Sequence, residues 1–185
     1  MSPLMERAGA LKLMESKVSN RNLRKHMLAA EAVMRALARK LNEPEELWGL
    51  AGLLHDIDYD ETAKDSARHA IVGAELLAAQ GLPEELVHAV KAHADKAPVL
   101  SRLDQALFAC DPLTGFLVSC SLIRPEKKIG PVDVDFVKNR MAEKSFSRAV
   151  DREQIRACEK LGIPLDEFIQ ISLDAMKSIS AELGL

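Results

Sequence analysis

Four of the five histidines in this 185-residue chain, and two of its aspartates, fall where apolar side chains belong. His26 lies three residues after Leu23 and three, four and seven before Ala29, Ala30 and Val33. His55 follows Trp48, Ala51 and Gly52 at seven, four and three, with Asp56 beside it. His69 precedes Val72, Gly73 and Leu76, and His93 follows Leu86, Ala89 and Val90, at the same steps. Asp111 sits between Leu107 and Phe108 behind it and Thr114, Gly115 and Val118 ahead. Residues three and four apart share one face of a helix, so these six groups are expected to point inward. Neither aspartate has a basic partner in its own segment, and a buried ionisable group is costly unless it is paired or ligates a metal. Imidazoles and carboxylates suit first-row transition metals. The chemistry indicated is therefore a cage for one or two divalent ions, Mn, Fe, Co, Ni or Zn. His88, flanked at those steps by Glu84, Glu85 and Lys91, is expected to face water.

Helices must position these groups. Leu23, Met27, Ala30, Val33, Leu37 and Leu41 form a stripe over residues 20–41, and Leu47 to Leu54 read as a short helix buried on nearly every side. Asp65 or Ser66 predicts a helix start near 66, ending at Gly81. Pro83 with Glu84 and Glu85 opens the next helix, which runs to about Asp95. Another runs from Ser101 to Leu122 with Pro112 inside it, where a missing donor should kink the axis. Beyond the polar loop 124–131 lie amphipathic segments at 134–145, 151–161 and 164–183. Ala30, Gly52, Gly73 and Gly115 sit one turn from the inward polar groups, where small residues allow close helix approach or leave room for ions, water and substrate. The expected class is all-α: a bundle over 20–122, an amino-terminal helical segment over 1–19 and a carboxy-terminal helical extension over 123–185.

Composition agrees. Apolar residues make up 48%, but aromatics are five Phe, one Trp and one Tyr, which suits packed helices better than a sandwich of strands. Lys and Arg number 25 against 28 Asp and Glu, so net charge is -3 and no general attraction to nucleic acid or anionic membrane is expected. Cys110, Cys120 and Cys158 show no metal-binding spacing and read as reduced core residues. Residues 1–16 lack the apolar stretch of a signal peptide, and no uninterrupted apolar run approaches the roughly 20 residues that span a bilayer. A cytoplasmic protein is expected, with a small phosphorylated substrate and no nucleic-acid polymer or membrane as partner. The apolar faces of the last helices admit a homodimer.

The order His26, His55-Asp56, Asp111 resembles the HD superfamily of metal-dependent phosphohydrolases. The surrounding text LLHDID at 53–58, HAIVGAELL at 69–77, LPEELVHAVKAH at 82–93 and ACD at 109–111 is similar to the HDIG-type subgroup, over about residues 20–122. The resemblance implies one metal on His26, His55, Asp56 and Asp111, and a second on His69 and His93 with Asp56 bridging. It implies hydrolysis of a phosphate ester of a nucleotide or small metabolite by a metal-activated water.

The chain also departs from that pattern. Asp58 and Tyr59 stand where the subgroup carries Gly and Lys, so the phosphate-contacting lysine is absent; Lys64, Arg68 or Lys96 could replace it. Asp58 and Asp60 could orient the water or protonate the leaving group, or cap the following turn. The GYP motif of cyclic dinucleotide phosphodiesterases is missing. Mixed-valent di-iron oxygenases of the superfamily share the ligand pattern and are the competing activity, followed by a non-catalytic metal-binding module.

Overall fold

The structure is a computed structural model that describes residues 4–185, and they form helices and turns with no strand among them. The segment expected over 1–19 contains α1 (Arg7–Lys17); residues 1–3 lie outside the described residues. Arg7 on α1 bonds the buried Glu31 of α2 (Arg21–Leu41) at 2.7 Å, and Arg35 grips the same carboxylate at 3.0 Å. Asn20 caps α2, its side-chain oxygen accepting from the Asn22 and Leu23 amides. Asn42, in the left-handed region at φ 56°, ends it.

After Pro44 comes α3 (Glu45–Leu54), in which every residue from Trp48 to Leu54 is buried. It packs hard against α2. A Cβ on Gly52 would meet the Ala30 carbonyl oxygen at 2.6 Å, so the two backbones touch where only glycine fits. A helix-interior glycine costs about 1 kcal/mol relative to alanine. The contact explains why the cost is borne, since it brings the end of α3 alongside His26.

A short α4 (Tyr59–Thr62) follows, then α5 (Ile71–Ala79) and α6 (Glu84–His93). The expected start of α5 near 66 is corrected: residues 65–70 form successive turns, and Ala70 at φ 65° breaks the helix immediately before Ile71. The physical reason is Asp58, whose carboxylate accepts from His69 Nδ1 at 3.0 Å and from the Gly73 amide at 2.8 Å. It bends the chain around itself.

The core helix is α7 (Arg102–Leu122). Ser101 and Asp104 cap it reciprocally, with amide donations of 3.0 and 2.9 Å. The helix runs unbroken through Pro112, which cannot donate to the Phe108 carbonyl one turn back. Gln154 donates its side-chain amide to that oxygen at 2.9 Å instead. By length and composition α7 could cross a bilayer, but 56% of its apolar window is buried, against α2, α6 and the elements that follow.

Those elements are α8 (Val134–Ala142), α9 (Arg152–Arg156), a 3-10 turn (Ala157–Leu161), α10 (Leu165–Ser178) and α11 (Ser180–Leu183). The single helix expected over 164–183 is split at Ile179. α10 and α11 lie on α2, while α9 and the 3-10 turn lie on α7. The three cysteines are buried and unpaired; burial pushes the Cys158 thiol up to about 11 and Cys120 to about 12, which keeps both protonated.

Candidate metal centre

Five elements deliver six side chains to one point. His26 comes from α2, His55 and Asp56 from the turn closing α3, His69 from the turn before α5, His93 from the last residue of α6, and Asp111 from α7. His26 Nε2 lies 3.1 Å from His55 Nε2 and 3.0 Å from Asp111 Oδ1. Asp56 divides its carboxylate. Oδ2 faces His55 at 3.5 Å and His26 at 3.7 Å, while Oδ1 faces His69 at 3.4 Å and His93 at 3.5 Å. His26, His55 and Asp111 form one group able to surround an ion, and His55, Asp56 and His93 a second.

Each imidazole is held from behind through its other nitrogen. His55 Nδ1 donates to the Gly52 carbonyl at 2.8 Å, and His93 Nδ1 to that of Val90. His69 Nδ1 donates to Asp58 Oδ1. The Thr114 hydroxyl spends its proton on the Asp111 carbonyl at 2.9 Å, so its oxygen accepts from His26 Nδ1 at 3.2 Å. With hydrogen on Nδ1, all four rings turn Nε2, the atom whose lone pair can ligate a metal, toward the centre. Two of these nitrogens, 3.1 Å apart, repel unless a cation lies between them. Nitrogen donors beside two carboxylates are what a divalent transition metal requires, so the residues present fit such ions.

The electrostatics fit as well. Burial alone would lower the His55 imidazole, but the Asp56 and Asp111 carboxylates hold it up at about 9. Burial would raise Asp56, and His55 together with His93 keeps it below the usual carboxylate range. Asp111 is likewise held well down, His26 and His55 outweighing its burial.

The structure thus brings together His26, His55, Asp56, His69, His93 and Asp111, and adds Asp58, buried against His69 and Gly73. Asp58 touches no open space; one carboxylate oxygen holds His69 and the other the Gly73 amide. Asp60 lies elsewhere, its carboxylate accepting from the Ser19 amide and hydroxyl at 2.5 and 2.6 Å, so it caps the approach to α2. Lys96 is exposed beyond α6, and its side chain enters no hydrogen bond or ion pair among the described residues. Arg68 pairs with Glu61 at 3.0 Å and Lys64 is exposed. His88, expected in water, is one-third exposed and sits 3.0 Å from Asp104. Sequence reading missed the part played by Thr114, whose only signal was its place one turn after Asp111.

The family model of the HD domain matches residues 23–115, 93 of the 185 in the chain. The chain belongs to the HD domain family. This HD domain is also similar to Ribonuclease Y of Oleidesulfovibrio alaskensis, 30% identical over 96 residues, covering 52% of the chain and 18% of that relative. Ribonuclease Y of Desulfotalea psychrophila is 33% identical over 94 residues, covering 51% and 18%. That of Salinispora tropica is 33% identical over 92 residues, covering 48% and 16%. The chain therefore spans under a fifth of the length of these relatives. No solved structure matches it at comparable stringency. The relatives correct one expectation: a partner list excluding nucleic-acid polymers does not stand beside matches named for cutting RNA. Overall net charge misled because it averages over a whole surface, whereas an active site meets its substrate locally.

Proposed function

We propose that this chain is a metal-dependent phosphohydrolase that cleaves phosphate esters of nucleotides, the RNA backbone included. The observation that carries the reading is the divided Asp56 carboxylate, one oxygen toward His26 and His55 and the other toward His69 and His93. His26, His55, Asp56 and Asp111 would hold one ion, and His69 and His93 a second with Asp56 shared. Such ions supply Lewis acidity, which lowers the pKa of coordinated water toward neutrality and neutralises charge on phosphoryl oxygens.

The chain's own residues do the remaining work. His55 and His93, with side chains 0% and 2% exposed, close the floor and keep bulk water out from behind. Asp111 and His26, at 29% and 21%, form an edge open to solvent where an ester can approach. Asp58 keeps the His69 ring from turning away. Relatives named as ribonucleases support hydrolysis over the oxygenase alternative, since both activities accept the same ligands.

The test is metal analysis of the purified chain, followed by hydrolysis of nucleoside monophosphates, a chromogenic phosphodiester and short RNA. The expected result is one or two divalent ions per chain and ester cleavage that His55→Ala and Asp56→Ala abolish. A metal-free protein, or cleavage that survives both substitutions, would sink the proposal.

A further inference from the structure

A cleft of about 320 Å³ opens beside the cluster, between α2, α7 and the end of α11. That volume falls in the range of about 300–1,000 Å³ usual for small-molecule sites. His26 belongs to both the cleft and the cluster, so the two are continuous. Val118, Leu122 and Leu183 make its walls apolar, and Lys25 places a cation in its lining. Leu122 is 51% exposed, an apolar side chain left in solvent at the mouth.

Gly115 supplies an independent observation. It lies inside α7, one turn past Asp111, and lines the cleft. Glycine in a helix interior is destabilising relative to alanine, and at Gly52 and Gly73 the neighbours explain it. A Cβ at Gly52 would strike the Ala30 backbone, and one at Gly73 would press on Asp58 at 3.2 Å. At Gly115 a Cβ would meet nothing within 4 Å. No packing contact calls for glycine there; the missing side chain leaves open volume next to two members of the cluster.

From this we infer that the cleft is a substrate subsite that receives the nucleobase of an ester whose phosphate lies at the His26–Asp111 edge. The inference rests on the hydrolase reading and names the part of the substrate that reading leaves open. A base has two largely apolar faces to set against Val118, Leu122 and Leu183, and the phosphates beside it are anionic and match Lys25. A sugar phosphate without a base has no apolar face to bury.

The experiment compares adenosine 5′-monophosphate with ribose 5-phosphate, and an RNA dinucleotide with its counterpart lacking one base. Manganese-loaded wild type, Gly115→Leu and Leu122→Asp are assayed, and calorimetry measures adenosine 5′-monophosphate binding to the metal-free chains. Gly115→Leu fills the cleft from within, and Leu122→Asp alters an exposed wall that the fold does not need. Wild type is expected to favour the base-bearing member of a pair by about tenfold or more in kcat/KM. Both variants should cut that preference to about twofold and lose nucleotide binding. A wild type that treats base-bearing and base-free esters alike, or variants that keep the preference, would overturn the subsite while leaving hydrolysis intact. Nucleotide binding that depends on Gly115 in a chain that cleaves no ester would uphold the subsite and overturn the hydrolase reading.

Discussion

The four histidines are anchored in two different ways. His55 and His93 donate to the carbonyls of Gly52 and Val90, three residues earlier in their own helices. His26 and His69 donate to side chains outside their own helix or turn, Thr114 of α7 and Asp58 ahead of α4. The first pair takes its orientation from local backbone, which no substitution of another side chain removes. The second pair depends on tertiary neighbours and can be released one ring at a time. The locally anchored rings are also the buried ones, and the tertiary ones lie toward solvent at 21% and 17% exposure. The centre therefore has a rigid floor and a more adjustable rim.

The largest effect comes from the residue that joins floor to rim. Asp56→Ala removes the one carboxylate facing all four rings, and with it the several kcal/mol that bound ions would contribute to a transition state. Ester hydrolysis should fall by at least about 10³-fold, and elemental analysis should show the bound metal depleted. Chelation of the wild type should reproduce the same loss. Retention of full metal content by Asp56→Ala would show that the two halves load independently.

Asp58→Ala attacks the rim alone. It frees His69 and leaves the buried Gly73 amide without a partner, at a stability cost of about 1–3 kcal/mol. Losing a partner that orients a ligating histidine typically weakens metal affinity about 10- to 100-fold. Titration calorimetry should find one class of site weakened and the other preserved. Asp58→Asn keeps one carbonyl acceptor and should recover part of the affinity. Equal weakening of both classes would mean that rim and floor are not separable.

Thr114→Val is smaller. The methyl keeps the shape while the oxygen facing His26 Nδ1 is lost, a net hydrogen-bond contribution of about 0.5–1.5 kcal/mol. Metal affinity should fall a few-fold, and the decrement should match between melting and metal titration if the hydroxyl acts only through His26.

How much of this was legible follows the same division. The inward positions of His26, His55, His93 and Asp111 could be read because they sit on or at the ends of regular helices with a fixed period. His69 points inward for a reason other than helical spacing, since its segment is a series of turns. The part Asp58 plays was not readable, because it depends on Ala70 at φ 65° folding residues 69–73 back onto it. The role of Asp60 was hidden for a similar reason, because its partner Ser19 is 41 residues away. The three glycines looked equivalent in sequence; only the packing of α3 on α2 and the return of α11 distinguish contact from open space.

Asp104 sharpens the comparison from outside the centre. Its buried carboxylate accepts from the Leu100 and Ser101 amides at 3.0 and 2.9 Å and faces His88, so it is held below the usual carboxylate range, these bonds outweighing the burial that would raise it. A carboxyl whose folded pKa is depressed stabilises the fold above its unfolded value of about 3.9, and that stabilisation is lost as pH falls through the lower folded value. The start of α7 should therefore loosen only in acid, well below neutrality. Asp104→Ala should cost about 1–2 kcal/mol at pH 7, the usual scale for a lost cap. It should also flatten that acid limb in a series of denaturant melts. Metal content should not change, because Asp104 is seven residues before Asp111 and bonds none of the six clustered side chains. If this variant loses metal in proportion to stability, the losses predicted for Asp58 and Thr114 would report general loosening of the fold, and the distinction between floor and rim would have no energetic content.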